Sequence, residues 1–145
     1  NAKVELIDVA LKRCHGHALL VPPRCSETTV VVATRCEFAN SDQFGANVHG
    51  SLTSATFNNC VFHDNSGDGI YVSKATMHLH GKATAIHSNE RNGIRAGSSP
   101  PFGSDVADTS GKVVLHLPSH HNTIYNNGGQ DRRTVGGGTI TNVED

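Results

Sequence analysis

The chain has 145 residues, of which 36% are hydrophobic, and it carries 15 glycines, no tryptophan and a net charge of −1. This length suits one domain, taken here as residues 1–145, and the glycine-rich, aromatic-poor composition favours short strands joined by turns. A nearly neutral chain without a basic stripe disfavours nucleic acid as a partner. No apolar run approaches the roughly 18 residues of a membrane-spanning helix, so a membrane is not expected either.

The N-terminal segment predicts a short first coil. Val9 alternates with Leu11, and Ala18 alternates with Leu20, which predicts two short strands with these side chains directed inward. The pattern is already under way near Asn1, which is not a methionine. We therefore expect either a fragment of a larger protein or a processed form.

Four cysteines are spread over the first half of the chain. Cys14, Cys36 and Cys60 recur at similar intervals, which predicts one inward-facing stack of free thiols, whereas Cys25 follows two prolines in a turn. The sequence also contains no Asn-x-Ser/Thr sequon. Both observations favour a reducing compartment, and we expect the protein in the cytoplasm.

The middle of the chain repeats at an interval of about 24 residues, a period typical of stacked-repeat folds. The matching positions, in three successive copies, are Cys36, Phe38, Gly45 and Val48, then Cys60, Phe62, Gly69 and Val72, then Thr84, Ile86, Gly93 and Ala96. Apolar residues two positions apart predict short strands with alternate side chains inside. Three such strands and three turns then form one coil of a solenoid.

A run of turn-forming residues at 98–111 interrupts the repeat and predicts a loop insertion. When it is removed, Leu115 and Leu117 fall into the register of Met77 and Leu79. The total is about five coils, ending near a possible strand that contains Ile140.

Three asparagines share one register of the repeat. Asn65, Asn89 and Asn127 each stand three positions after an inward apolar residue. Stacked amides can hydrogen-bond along a column of coils, so we interpret these residues as an internal ladder at a tight turn.

One segment links the pattern to a known family. Cys60-Val61-Phe62-His63-Asp64-Asn65, followed by Gly69-Ile70-Tyr71-Val72, resembles one coil of the right-handed parallel β-helix proteins of the pectin-lyase-like superfamily. The resemblance implies an all-β fold, a single right-handed parallel β-helix. The superfamily includes polysaccharide lyases, glycoside hydrolases, sugar epimerases, phage tailspikes and non-catalytic repeats, so it implies no single activity.

Ten histidines are the most conspicuous functional candidates. His78 and His80 alternate with inward residues, and His116 takes the register of His78 after the insertion is removed, so the three are expected on one outward face. Imidazoles at this spacing could bind a divalent metal, although no other cofactor is indicated. His63, His87 and Tyr125 are expected to form a second outward ladder, and both sets are candidate ligand-binding residues, as stacked imidazoles that line a polar groove. An ordinary solvated polar face is the alternative for both sets.

Three functions remain open at the level of sequence. The first is a non-catalytic module that binds a protein or a glycan on a sheet face. The second is a carbohydrate-active enzyme (a polysaccharide lyase, hydrolase or epimerase) or the remnant of one, which the absence of an outward carboxylate ladder disfavours. Asp64 and Asp68 lie in one turn and are interpreted as turn formers. The third is self-assembly into homo-oligomers through exposed β-helix ends or faces.

Overall fold

The computed structural model describes residues 1–23, 26–97, 110–116 and 123–143. Within these ranges the chain forms sixteen strands and no helix. The strands are β1 (Ala2–Ile7), β2 (Ala10–Lys12), β3 (Leu19–Val21), β4 (Thr29–Thr34), β5 (Glu37–Ala39), β6 (Ala46–His49), β7 (Thr53–Asn58), β8 (Val61–His63), β9 (Ile70–Ser73), β10 (Thr76–His80), β11 (Ala85–His87), β12 (Ile94–Ala96), β13 (Lys112–His116), β14 (Ile124–Tyr125), β15 (Arg132–Thr134) and β16 (Thr139–Asn142).

Every third strand joins the same parallel sheet, which confirms the predicted right-handed parallel β-solenoid. Sheet A has the order β1-β4-β7-β10-β13-β16, sheet B has β14-β11-β8-β5-β2, and sheet C has β15-β12-β9-β6-β3. The solenoid makes about four turns, slightly fewer than the five coils predicted. Because each coil pairs with its neighbours, residues far apart in sequence form straight columns across the coils.

The interior is a narrow apolar column. The rings of Phe38 and Phe62 stack with centroids 4.8 Å apart, and the ring of Phe57 meets both edge-on. Ile86 continues the column in the next coil, paired with Phe62 on one side and Ile124 on the other. Burying each of the large side chains contributes about 1.5–3 kcal/mol to folding. Core packing therefore fixes the register of the coils.

Sharp bends between the sheets require left-handed backbone at fixed places. The residue after each strand of sheet B has a positive φ in every coil: Arg13, Asn40, Asp64, Ser88 and Asn126. Short polar residues tolerate this conformation best. The interpretation of Asp64 as a turn former is consistent with this, since its φ is 54°.

The predicted asparagine ladder is present at the turn between sheets B and C. Asn65 Nδ2 donates to Asn89 Oδ1, and Asn89 Nδ2 donates to Asn127 Oδ1, each over 2.9 Å. In the last coil Asn127 Nδ2 donates to Asp131 Oδ1, also over 2.9 Å. The buried amides of this ladder are thus satisfied from coil to coil.

A second ladder stands three residues further along the same turn. Asn92 donates to Asp68 Oδ1 from both its backbone nitrogen and Nδ2, and Asn92 Oδ1 accepts from the backbone nitrogen of Gln130. Its donors point towards the N-terminal coil, opposite to those of the first ladder. Asp68 is therefore a buried structural residue of this turn.

The first coil differs from its prediction. Its residues pair with residues 27 positions later in the second coil, so Leu11 pairs with Phe38. Val9, and not Cys14 as predicted, therefore occupies the position equivalent to Cys36. In sheet C, Leu19 and Val21 take the inward positions, and Leu20 is half exposed. The prediction that Leu20 faces inward was wrong, because a register shift of one residue reverses the faces of a strand, whereas Ala18 packs against the core as predicted.

The cysteine stack is correspondingly shorter than predicted. Cys36 and Cys60 are buried free thiols, but Cys14 is only half buried and its carbonyl accepts from Asp42 in a turn. Burial raises the pKa of Cys60 to about 11, which makes its thiol unreactive. Cys25 lies outside the described residues.

The register after the insertion also needs correction. Met77 pairs with Val113, and Leu79 pairs with Leu115, so Leu115 lies two positions from its predicted partner. Leu117 and most of the insertion, residues 98–109, lie outside the described residues. Ile124 nevertheless pairs with Ile86 as predicted. Two of the extra residues therefore follow β13 instead of preceding it.

Candidate functional site

Three outward surfaces of the solenoid carry groups able to bind a ligand. The first is the histidine cluster, formed by His78, His80 and His116 on sheet A. The strands β10 and β13 hold His80 and His116 as direct neighbours, whereas His78 pairs with Val114. The predicted pairing of His116 with His78 was therefore wrong by two residues. The three side chains still meet, because His78 lies diagonally across from His116.

The imidazoles of the histidine cluster are in close contact. His78 Nδ1 lies 3.0 Å from His116 Nε2, and the rings of His80 and His116 stack with centroids 4.1 Å apart. One ring nitrogen from each residue lies within 4.8 Å of the other two. Burial, followed by the positive charges of His116 and Lys112, lowers the pKa of His78. A neutral His78 can accept a proton or a metal ion.

The second surface is the imidazole–tyrosine ladder of His63, His87 and Tyr125 on sheet B. The pairings His63 to His87 and His87 to Tyr125 follow the predicted register, and consecutive ring centroids lie 5.2 and 5.0 Å apart. The rings are almost parallel, with interplanar angles of 11°. Each inner ring face is therefore covered by its neighbour, and mainly ring edges face the solvent.

Two carboxylates hold His63. Its Nε2 lies 2.6 Å from Glu37 Oε1, and its Nδ1 lies 2.5 Å from Asp64 Oδ2. Burial works to lower the pKa of His63, but the hydrogen bonds to Asp64 and Glu37 outweigh it and the net pKa is raised. Lys12 also contacts Glu37, at 2.8 Å. Sequence reasoning missed Glu37, because it reaches His63 diagonally from the preceding coil.

The third surface was not predicted from the sequence. Beside sheet C, the rings of His17 and Phe44, which lie in turns, stack in a column with the ring of Tyr71, with centroids 5.0 and 5.4 Å apart. Arg95 extends this column, with its guanidinium carbon 5.1 Å from the centre of the Tyr71 ring. Arg133 pairs with Arg95 in the next coil. Tyr71, Arg95 and Arg133 therefore follow one outward column of sheet C.

The stacking fixes the position of the Arg95 guanidinium. A cation held over an aromatic face is attracted by the ring, by about 0.5–1 kcal/mol where the pair is exposed. Arg95 Nε is buried and has no hydrogen-bond partner among the described residues.

Two clefts flank this column. One, of about 320 Å³, is lined by Arg91, Arg95 and Arg133 together with Glu90, Asn92, Gly128 and Gly129. The other, of about 280 Å³, is lined by Phe44 and Arg91 together with Asp42, Gln43, Ser66 and Gly67. Arg91 belongs to both, so the clefts are adjacent. We call Phe44, Tyr71, Arg91, Arg95 and Arg133 the arginine–aromatic face.

The 24-residue interval contained a signal for part of this face. Tyr71 and Arg95 alternate with inward residues in consecutive copies, so the repeat that aligned His63 with His87 also aligns them. Arg133 follows the insertion and could not be aligned by the same interval. Phe44 and Arg91 lie in turns, whose side-chain directions no alternation predicts.

Comparison with known proteins identifies the family of this chain but no individual relative. The sequence matches a family model described as a right handed beta helix region, over residues 1–142. No curated protein and no solved structure matches the chain. In the part of the chain that the structure describes, no helix is long and apolar enough to cross a membrane.

Proposed function

Since this chain belongs to the right-handed β-helix family, whose fold fixes no activity, we propose that it is a non-catalytic module that binds an acidic glycan along sheet C. The observation that carries the proposal is the arginine–aromatic face, where three guanidinium groups border a cleft that contains one carboxylate side chain, Glu90. Repeat solenoids commonly use extended lateral surfaces for binding.

The charge of the cleft favours an anionic ligand. Arginine presents a planar fork of donors that matches a carboxylate in a bidentate geometry. Arg95 is already held by Tyr71, so less side-chain entropy is lost when an anion binds. Because the net charge of the whole chain is only −1, attraction of an anion to this face depends on the clustering of Arg91, Arg95 and Arg133.

The shape of the face favours a chain-like ligand. The two clefts adjoin at Arg91 and together cross several coils between sheets B and C. A uronate polysaccharide carries a carboxylate on each sugar and can lie along such a groove. A nucleic acid would need exposed aromatic rings on which its bases could stack, but the ring of Tyr71 is already in contact with Phe44 and Arg95. A polysaccharide has no bases and does not need such rings.

Binding to oligogalacturonate tests the proposal by calorimetry, with its fully methyl-esterified form as the uncharged counterpart. We expect binding of the acidic form alone, weakened by added salt because exposed charges are screened. Arg95→Gln and Arg133→Gln should each weaken binding about tenfold, as expected for losing a charged hydrogen bond. Arg13→Gln, in the first coil, is the matched control and should bind like the unaltered protein.

Several results would overturn the proposal. Equal binding of the methyl ester would remove the role of charge, and equal losses in Arg13→Gln and Arg95→Gln would remove the role of this face. Tighter binding of poly-glutamate than of oligogalacturonate would assign the face to a protein partner. Release of shortened or unsaturated sugars during incubation would establish a carbohydrate-active enzyme instead.

A further inference from the structure

The histidine cluster on sheet A is independent of the arginine–aromatic face and has the composition of a metal site. Three imidazoles supply one nitrogen each within 4.8 Å of one another. Imidazole nitrogen is a preferred ligand of zinc, copper and nickel. Three protein ligands also leave a coordination position open to water or another molecule. We propose that His78, His80 and His116 bind a divalent transition-metal ion.

The closest pair already has the spacing of two metal ligands. Zinc lies about 2.0–2.1 Å from imidazole nitrogen, which places two tetrahedral ligands about 3.3 Å apart. His78 Nδ1 and His116 Nε2 are 3.0 Å apart. An ion between these atoms would replace the contact that they make with each other.

Metal binding requires the rings to reorient, because His78 and His116 are also stacked, with an interplanar angle of 27°. His80 and His116 are stacked with an interplanar angle of 7°, and a metal binds in the plane of an imidazole. Two parallel rings cannot point at one ion, so His80 must turn about its ring torsion. This torsion is broad, and the side chain is only half buried. Metal binding is therefore expected to break the His80–His116 stack.

The scaffold beneath the cluster is rigid. Strand β10 is hydrogen-bonded between β7 and β13, and β13 is hydrogen-bonded between β10 and β16. Thr56 and Asn58, which pair with His78 and His80 from β7, carry no charge, and Lys112 is the charged neighbour on β13.

Titration with Co²⁺, Ni²⁺ and Zn²⁺ at pH 7.5 tests the site by calorimetry and, for Co²⁺, by visible absorption. We expect one ion per chain, and weaker binding at pH 5.5 because protons compete with the metal for imidazole nitrogen. His78→Ala and His116→Ala should each weaken binding at least tenfold. Nuclear magnetic resonance of the histidine ring protons should report the loss of the His80–His116 stack.

Control variants separate this site from other ligands in the chain. His87→Ala removes a stacked histidine outside the cluster and should leave binding unchanged. Cys14→Ser with Cys25→Ser excludes thiol ligands, and His120→Ala with His121→Ala tests two histidines outside the described residues. Binding that survives His78→Ala and His116→Ala, or that is lost in either control pair, would overturn the proposal. So would the absence of binding by all three ions.

Discussion

At the scale of single residues, His63 is the side chain whose protonation is most clearly set by its neighbours. Carboxylates contact both of its ring nitrogens and favour the charged form, and the charge on His63 also contributes, after that of Lys12, to the lowered pKa of Glu37. His63 and Glu37 both belong to sheet B, outside the arginine–aromatic face and the histidine cluster.

The raised pKa of His63 leads to a prediction about pH. A raised folded-state pKa gives a contribution to stability that is complete below the unfolded value of 6.5 and is lost as pH rises through the folded value. The difference in unfolding free energy between the unaltered protein and His63→Gln should therefore be largest near pH 5.5 and should decrease as the pH rises beyond 6.5. Urea unfolding across this range measures it.

Nuclear magnetic resonance can test separately whether the carboxylates cause the raised pKa of His63. Glu37→Gln removes one carboxylate from His63 and should lower the titration midpoint of its ring protons. Ser88→Ala serves as the control, because Ser88 contacts the neighbouring His87 instead. A midpoint below 6.5 in the unaltered protein, or one that Glu37→Gln leaves in place, would contradict the assignment.

Asn89 is the central amide of the first ladder and is 2% exposed. Its Nδ2 donates to Asn127 and to the carbonyl of Phe62, while its Oδ1 accepts from Asn65. Asn89→Ala leaves buried partners unpaired and should lower the free energy of unfolding by about 2–4 kcal/mol. Urea denaturation provides the measurement.

The control for this change is an exposed amide from the corresponding turn of the next coil. Gln130→Ala should alter stability by no more than about 0.5 kcal/mol, since its side chain is exposed and its backbone nitrogen, which the substitution keeps, makes its contact with the second ladder. Similar losses from Asn89→Ala and Gln130→Ala would show that the ladder does not stabilise the fold.

At the scale of structural elements, close packing of consecutive turns leaves no space for side chains at certain glycines. A Cβ built on Gly69 would lie 2.7 Å from Asn89 Nδ2 and 2.9 Å from the carbonyl oxygen of Gly93. Gly69→Ala should therefore cost about 1–3 kcal/mol through overpacking. Gly16→Ala meets no atom within 4 Å and is the matched substitution.

Chemical denaturation of both variants tests this packing argument. We expect Gly16→Ala to unfold at or slightly above the midpoint of the unaltered protein, because alanine restricts the unfolded chain. Gly69→Ala should unfold at a clearly lower denaturant concentration. Equal midpoints would mean that the turns between sheets B and C can move apart to accommodate a methyl group without lowering the free energy of unfolding.

The sequence predicted those elements that keep a constant interval. Strands β8 and β9 lie 24 residues before β11 and β12, so alternation assigned Phe62 and Ile86 to the core and His63 and His87 to the surface. In sheet A the interval fails, because β7 and β10 are offset by 22 residues and Met77 pairs with Ala55 rather than with Thr53. The first coil is three residues longer, and Cys14 was aligned with Cys36 because a step of 22 residues resembles the period. Periodicity locates a strand only where coil length is constant.

Contacts that cross the columns diagonally were less accessible to prediction. His78 with His116 and Glu37 with His63 depend on side-chain reach between offset positions of adjacent strands. The asparagine ladder was predictable because its members are directly in register and of one residue type. The repeat interval therefore predicts side chains that lie directly above one another, whereas contacts between offset residues of different types become visible only in the structure.

At the scale of the whole molecule, strands β1 and β16 form the edges of sheet A in the described structure. Val4 is 42% exposed and Val143 is 40% exposed, so each end of the column presents apolar surface. Exposed strand edges pair readily with other chains. We expect the 145-residue chain to associate as its concentration rises, detected by light scattering.

A charge at the column end should suppress this association. Val4→Lys places a charged side chain at the edge strand and should lower the apparent mass at high concentration. Leu52→Lys introduces the same charge at a half-exposed position in a lateral turn and should not. A monomer at every concentration, or equal effects of the two substitutions, would contradict end-to-end association.

The asparagine ladder gives the column a direction. The amide-to-amide hydrogen bonds of Asn65 and Asn89 both run towards the C-terminal coil. Asn127 has no following amide in this ladder, and Asp131 Oδ1 from its own turn accepts from its backbone nitrogen and its Nδ2, the two nitrogens that a following amide would engage. An ionised carboxylate accepts hydrogen bonds and donates none, so the row of side-chain hydrogen bonds ends at Asp131. Growth by another chain at this pole would have to displace Asp131, which makes the two poles of the molecule chemically unequal.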